Sequence, residues 1–310
     1  MKLVFCGTPM FAVACLEALV RERHDVQLVV SQPDRPKGRG LELTPTPVKQ
    51  VALSHRIPVT QPEKIKNNAE FRTQLEQIRP DAIIVVAYGR IIPQWMIELP
   101  PLGNINVHAS LLPKYRGAAP IQWAIACGET ITGVTTMRID AGLDTGAMLL
   151  KADTPIAVDD TAVSLSPRLS QLGALLLVET LRAFDAGDLK PTPQDDSQAT
   201  LAPLLKKEDG RVDFSRRAQE ISNRLRGFQP WPGAFTTFRG KQLVLHGARP
   251  GKGPRLEPGE LLSHGNSLYV GAGRDSALEL LEVQLEGKKR MSARDFANGY
   301  RPTAGERLGS

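Results

Sequence analysis

A chain of 310 residues is long for one hydrophobic core, so two domains are expected. Its hydrophobic fraction of 41% and charged fraction of 23% are those of a water-soluble globular protein, and no apolar run reaches the roughly 20 residues of a membrane-spanning helix. Three scattered cysteines (Cys6, Cys15 and Cys127) exclude a disulfide framework and a cysteine metal cage, while a net charge of +6 is compatible with a polyanionic partner.

Residues 2–6 read as a short apolar strand ending in Gly7-Thr8-Pro9, and 11–20 have helical spacing. Lys2, the apolar letters after it and Ala12-Val13-Ala14-Cys15 together resemble a lipoprotein signal. Gly7-Thr8-Pro9 interrupts that stretch and a single positive charge precedes it, so a strand running into a helix explains the same letters better. A cytoplasmic location is therefore expected. The turn also lacks the G-x-G-x-x-G spacing of a dinucleotide fingerprint, because Pro9 and Phe11 occupy the later places.

A second strand at 26–30 leads into a basic segment rich in Pro and Gly at 32–47. Residues 69–78 have helical spacing, and 81–87 form the kind of continuous apolar run that becomes a central parallel strand buried on both faces. Another strand is expected at 103–107, a helix at 121–126, strands at 130–138 and 147–156, and a long helix at 163–186 with Pro167 near its start. This alternation predicts an α/β fold with a doubly wound, mostly parallel sheet.

Residues 187–205, rich in Pro, Gln, Asp and Thr, have the composition of a linker. The expected division is a catalytic domain over 1–188, a linker over 189–206 and a second domain over 207–310. In that last part a helical stretch at 218–228 precedes short β-type runs at 235–238, 243–245, 267–270 and 277–283, separated by turn residues. The pattern predicts a small β-barrel or sandwich. Residues 1–206 carry 21 Lys plus Arg against 21 Asp plus Glu, whereas 207–310 carry 18 against 12, so the whole positive excess lies in the last third. That asymmetry suits a polyanion, and equally a basic solvated surface.

The chemistry concentrates in Asn104-Ile-Asn106-Val-His108, followed by Gly142-Leu-Asp144-Thr-Gly146. Asn106 and His108 are two apart and project from one face of an extended strand. An amide, an imidazole and a carboxylate suit acyl transfer to an amine: the carbonyl oxygen turns negative and the attacking nitrogen positive. Asn106 offers a neutral donor for the oxygen. His108 can stabilise that oxyanion or shuttle protons, and Asp144 can orient the imidazole and stabilise its cationic form. Spacing alone leaves open which group takes the amine proton, and singly each residue also reads as a strand-end cap, a buried histidine or a turn former.

Further segments fall in a recognisable order: Phe5-Cys-Gly-Thr-Pro9, Gln32-Pro-Asp-Arg-Pro36, Gly38-Arg-Gly40, Val86-Ala-Tyr-Gly89, Ser110-Leu-Leu-Pro113, Arg116-Gly-Ala-Ala-Pro-Ile-Gln122 and Gly133-Val-Thr135. Arg211-Val-Asp213 and Phe228-Gln-Pro-Trp-Pro232 continue it. Over essentially its whole length the sequence resembles the methionyl-tRNA formyltransferases, which move a formyl group from 10-formyltetrahydrofolate to the amino group of methionyl initiator tRNA.

The resemblance implies a Rossmann-like formyltransferase domain and a C-terminal β-barrel of the oligonucleotide-binding type. It implies catalytic roles for Asn106, His108 and Asp144, and folate contacts from Ser110, Leu111, Leu112 and Pro113, with Val86, Tyr88 and Gly89 as a second wall. It further implies that the basic insertion carrying Arg35, Lys37 and Arg39 meets the acceptor end of the tRNA, although Leu41-Glu42 is less basic here than in many relatives. Lys206, Lys207, Lys288, Lys289 and Arg290 are candidate phosphate contacts of the second domain, with Arg211 beside them. A monomer needing no metal is expected. Two alternatives stand beside this reading: formyl transfer to a small amine such as an amino sugar nucleotide or purine precursor, and a non-catalytic nucleic-acid-binding protein.

Overall fold

Apolar runs bounded by turn residues set the framework of the computed structural model, which describes residues 1–37 and 42–309. In chain order these are β1 (Lys2–Gly7), α1 (Met10–Arg21), β2 (Asp25–Val30), β3 (Arg35–Lys37), β4 (Glu42–Thr44), α2 (Pro47–Ser54), β5 (Val59–Thr60), α3 (Ala69–Ile78), β6 (Ala82–Val86), α4 (Gln94–Ile97), β7 (Asn104–His108), α5 (Pro120–Ala126), β8 (Ile131–Arg138), β9 (Met148–Pro155) and α6 (Ala162–Ala186). Then follow α7 (Ala218–Gly227), β10 (Ala234–Phe238), β11 (Lys241–Gly251), β12 (Leu261–His264), β13 (Ser267–Ala272), β14 (Ser276–Leu285), β15 (Met291–Ser292) and α8 (Ala293–Tyr300).

Two units emerge. The first comprises Met1–Pro120, Ile131–Pro155 and Ser166–Pro203; the second comprises Ile121–Thr130, Ile156–Leu165 and the chain from Leu204 onward. The sheet of the first unit runs β5-β2-β1-β6-β7-β8-β9. Pairings from β5 through β7 are parallel, and β8 and β9 add antiparallel strands. All five residues of β6 are buried, as a central parallel strand requires. Strand order reverses between β1 and β6, so a crevice opens beyond their carboxyl ends, where doubly wound sheets bind ligands.

Close packing of α6 holds β7 and β8 in place. A Cβ on Gly173 would stand 2.9 Å from Val107 Cγ1, and Thr180 and Thr136 share a buried hydroxyl hydrogen bond of 2.8 Å. Segment 190–203 folds back within the first unit: Met148 and Thr192 exchange backbone hydrogen bonds of 2.9 and 2.8 Å, and Arg116 does so with Thr200 and Ala202 at 2.8 and 2.7 Å.

The second unit is an antiparallel sheet of order β10-β11-β14-β13-β12 with β15 added on β14, as the short β-type runs predict. Register shifts between β11 and β14 at Leu245/Gly247 and Gly247/Ala248 mark bulges, which increase local twist and bend a sheet. Its core joins Leu243, Leu268, Leu278 and Val283 to Ile221 and Leu225 of α7 and to Phe296 of α8. Phe296 meets Phe238 edge to face at 5.0 Å.

The basic segment differs most from its sequence reading. Arg35–Lys37 and Glu42–Thr44 pair as a hairpin, and α2 follows, capped by Thr46 Oγ1 accepting the Lys49 N–H at 3.2 Å. Arg-Pro-Lys and Glu-Leu-Thr are too short and polar to show a strand period.

Enlarging Gly173 to Leu tests the helix–sheet contact. Overpacking of this kind costs about 1–3 kcal/mol, so the melting temperature should fall by several degrees in a thermal scan; an unchanged midpoint would refute the packing.

Candidate active site

Strand alternation puts Asn104, Asn106 and His108 on one face of β7. The Asn104 amide is buried and donates to the carbonyls of Met96 and Ile97 at 2.8 and 3.2 Å, which anchors the strand. Asn106 is half-buried, and its side-chain amide has no hydrogen-bond partner among the described residues. It is left free to serve a ligand.

His108 is 5% exposed, with Nε2 2.9 Å from the Tyr115 carbonyl. A carbonyl only accepts, so Nε2 carries the proton and the neutral ring keeps its lone pair on Nδ1. That atom faces Asp144 Oδ2 at 3.7 Å, too far for a direct hydrogen bond. Asp144 lies in the left-handed region at φ +53°, and its Oδ2 accepts the Gly117 N–H at 2.8 Å. Gly117, at φ +121°, leaves no room for a side chain, since a Cβ there would come within 2.7 Å of the Ala202 carbonyl oxygen. The structure thus sets Asn106 on the strand face of His108 and turns the His108 ring toward Asp144.

Thr135 of β8, the register partner of His108, shapes the segment after it. Its hydroxyl donates to the Ser110 carbonyl at 2.7 Å and accepts the Leu112 N–H at 3.1 Å. Ser110 Oγ donates to the Lys114 carbonyl at 2.6 Å, and Lys151 Nζ donates to the Leu112 carbonyl. Ser110 and Leu112 are buried, the latter against Met137 and Met148; Leu111 and Pro113 are partly open. Burial lowers the Lys151 ammonium's pKa.

The wall at 86–89 is built from backbone. Val86 is fully buried, and the Tyr88 ring sits in the core with Phe71, Leu75 and Met96, where burial pushes its phenol up. The Tyr88 carbonyl accepts from Thr8 Oγ1 at 3.2 Å and Gln32 Nε2 at 3.1 Å, and Gln32 also donates to the Gly89 carbonyl at 3.2 Å. Thr8, Gln32 and Thr135 lie within the segments that carry the resemblance but gain no role of their own from the sequence, and Lys151 lies outside them, because a single polar residue carries no spacing signal.

The basic hairpin is pinned at its root. Asp34 accepts from Lys49 Nζ at 2.6 Å and Gln61 Nε2 at 2.7 Å, and Lys49 also donates to Gln61 Oε1 at 2.7 Å. Hydrogen bonds from Lys49 and Gln61 hold the Asp34 carboxyl below the usual carboxylate range. Arg35 lies 3.8 Å from Glu63, both well exposed; Lys37 stands opposite Glu42 in the hairpin; Arg39 lies outside the described residues. In the second unit Lys206, Lys207, Lys288 and Lys289 are exposed, while Arg290 is ion-paired with Glu282. Among the described residues, no group of three or more His, Cys, Asp or Glu is placed to hold a metal ion.

Residues 1–181 match the formyl transferase family model, and residues 204–301 match that of the formyl transferase C-terminal domain. Both halves therefore define a formyl transferase. The chain is 69% identical over 309 residues to the methionyl-tRNA formyltransferase of Koribacter versatilis, covering 100% of this chain and 99% of that one. It is 60% identical to that of Acidobacterium capsulatum over the full length of both chains, 100% of each. The chain belongs to the methionyl-tRNA formyltransferase family. The fold is shared with an N-formyltransferase from Helicobacter canadensis solved with folinic acid and dTDP-3-aminofucose, at TM-score 0.67 and 19% identity, covering 90% of this chain and 98% of that one. The sugar 3N-formyltransferase WlaRD also gives TM-score 0.67 at 19% identity, covering 93% and 99%.

The depressed Asp34 carboxyl stabilises the hairpin root at pH values above its unfolded titration, and that contribution is lost as pH falls through the lowered folded value. Hydrogen exchange of the β3 and β4 amides should therefore show protection falling at acid pH. Asp34→Asn should reduce protection at neutral pH and abolish the acid step; a retained step would assign it to another group.

Proposed function

We propose that Asn106, His108 and Asp144 transfer the formyl group of 10-formyltetrahydrofolate to the α-amino group of methionyl initiator tRNA, for initiation of protein synthesis. The supporting observation is the His108 ring, committed through Nε2 to the Tyr115 carbonyl and turning Nδ1 toward Asp144 beside the unpartnered Asn106 amide.

The amine attacks the formyl carbon, and the carbonyl electron pair moves to oxygen. Asn106 Nδ2 donates to that oxyanion. His108 Nδ1 takes the proton from the new ammonium, and the imidazolium is balanced by the Asp144 carboxylate. The oxyanion then re-forms the carbonyl, the bond to the folate nitrogen breaks, and the proton passes from His108 to that nitrogen. The neutral amide and the imidazole supply the charge stabilisation without a metal.

In this reading Ser110, Leu111, Leu112 and Pro113 line one side of the folate, Leu111 and Pro113 with side chains and Ser110 and Leu112 mainly by shaping the turn. Val86, Tyr88 and Gly89 offer the backbone edge opposite. Arg35, Lys37, Arg39, Lys206, Lys207, Lys288, Lys289 and Arg290 meet the tRNA backbone. Residues 1–188 carry the chemistry, 189–206 join the two parts, and 207–310 hold the tRNA, in a monomer working in the cytoplasm.

Incubation with formylfolate and either charged initiator tRNA or small amines tests the substrate, followed by folate release. Formylation of small amines alone would refute the tRNA reading. Asn106→Ala and His108→Ala should each lower kcat by about 100-fold or more, with tRNA affinity changed less than about 2-fold because neither is a phosphate contact. Unchanged turnover would remove the catalytic assignment. Arg39→Ala should raise the KM for tRNA and flatten its salt dependence by about one counterion, leaving folate affinity intact; equal loss of both would contradict a role in the tRNA contact.

A further inference from the structure

The segment 190–203 has the composition of a linker, yet one of its residues is fixed with unusual completeness. Gln194 is half-buried between exposed neighbours Pro193 and Asp195. Its Nε2 donates to the carbonyls of Asp144 at 2.7 Å and Gly146 at 2.8 Å, one on each side of Thr145. Its Oε1 accepts from Arg116 Nε at 2.9 Å. The amide orientation is forced, since the flipped form would set Oε1 against two carbonyl oxygens and an NH₂ against a guanidinium.

Arg116 extends the clamp. It is 7% exposed, and besides Gln194 it reaches Asp196 Oδ1 at 2.7 Å. Because the Asp196 side chain is 83% exposed, that pair contributes little, and the charge-assisted bond to Gln194 together with the backbone pairing carries the attachment. On either side of Arg116 lie the two groups that set the catalytic pair: the Tyr115 carbonyl receives His108 Nε2, and the Gly117 N–H holds Asp144 Oδ2. The Tyr115 N–H is in turn held by Thr200 Oγ1 at 2.9 Å. One strap therefore grips the loop that carries Asp144 and the turn that orients His108.

The Asp144 loop needs such a grip. Asp144 occupies φ +53°, which a non-glycine residue keeps only when its surroundings over-determine it. Its carboxylate lies 3.7 Å from Nδ1, so a shift of a fraction of an ångström decides whether it can receive a hydrogen bond from the imidazolium. We infer that Gln194, seconded by Arg116, is a positioning residue for formyl transfer: it holds Asp144 in register with His108 from the returning segment 190–203 of the first unit. This rests on the catalytic reading of Asp144 above.

Gln194→Glu isolates the role, because the carboxylate still accepts from Arg116 but cannot donate to the two carbonyls. Gln194→Ala removes both functions and serves as the second variant. With intact chain, charged initiator tRNA and formylfolate, both variants should lower kcat by about 10- to 100-fold, with the KM for formylfolate within about 2-fold and cooperative melting well above the assay temperature. A double-mutant cycle supplies the reading that simple destabilisation would not: in an Asp144→Asn background, Gln194→Glu should cost less than about 2-fold more, since its effect passes through Asp144. Unchanged kcat in both variants, or a full further loss in the Asp144→Asn background, would overturn the positioning role while leaving the catalytic assignment standing. Full turnover by Asp144→Asn alone would instead overturn the catalytic reading, and the positioning role with it.

Discussion

One hydrogen bond organises the first unit: the donation from His108 Nε2 to the Tyr115 carbonyl. It fixes which nitrogen of a buried ring holds the resident proton, and so which nitrogen can take another. Everything around it keeps that carbonyl in place. Tyr115 adopts φ +62° and Gly117 φ +121°, a turn that is sustained by backbone pairing with 200–202. Were the carbonyl to turn away, the proton could reside on either nitrogen and the ring could rotate, and the order Asn106, His108, Asp144 would lose its chemical direction.

The sheet explains why this constellation stands where it does. Parallel strands β1, β6 and β7 end side by side, so their carboxyl-terminal turns supply Thr8, the backbone of 87–89 and the segment after His108 at one edge. The antiparallel β8 then supplies a floor. Thr135, opposite His108, pins the turn at Ser110 and Leu112, and Gly133 admits it, since a Cβ there would fall 2.1 Å from the Ala152 carbonyl and 2.6 Å from Leu111. A purely parallel sheet would have placed a crossover helix where this floor lies. The switch of strand direction sets Thr135 beside the loop, whose Leu112 is buried against Met137 and Met148.

Periodicity made the scaffold legible. The runs at 2–6, 26–30 and 81–87 and the helix at 69–78 are long or apolar enough that local pattern and tertiary burial agree. Asn106, His108 and Asp144 stand out in the sequence because their residue types are chemically distinctive. What stayed hidden were elements whose identity comes from partners: the three-residue strands of the hairpin, the two-residue β15, and the short α8, whose seat is made by Phe238 from another strand. Gln194 belongs to the same class. In sequence it is one polar residue among Pro, Thr and Asp, and only the fold shows that its amide meets two carbonyls and a guanidinium.

The surface cations follow a different logic from the buried polar residues of the first unit. His108 and Asp144 hold their partners inside the fold, where displacing them would strand buried polar groups. Arg35 and Arg290 are paired with Glu63 and Glu282 at the surface, where an ion pair is worth about 0–1 kcal/mol. Such a pair can exchange its carboxylate for a phosphate at little cost, and Lys206, Lys207, Lys288 and Lys289, which are exposed, pay still less in desolvation. A cheaply exchanged contact adds attraction without fixing geometry. Fixed geometry therefore belongs to the buried network around His108, and the exposed cations contribute attraction alone.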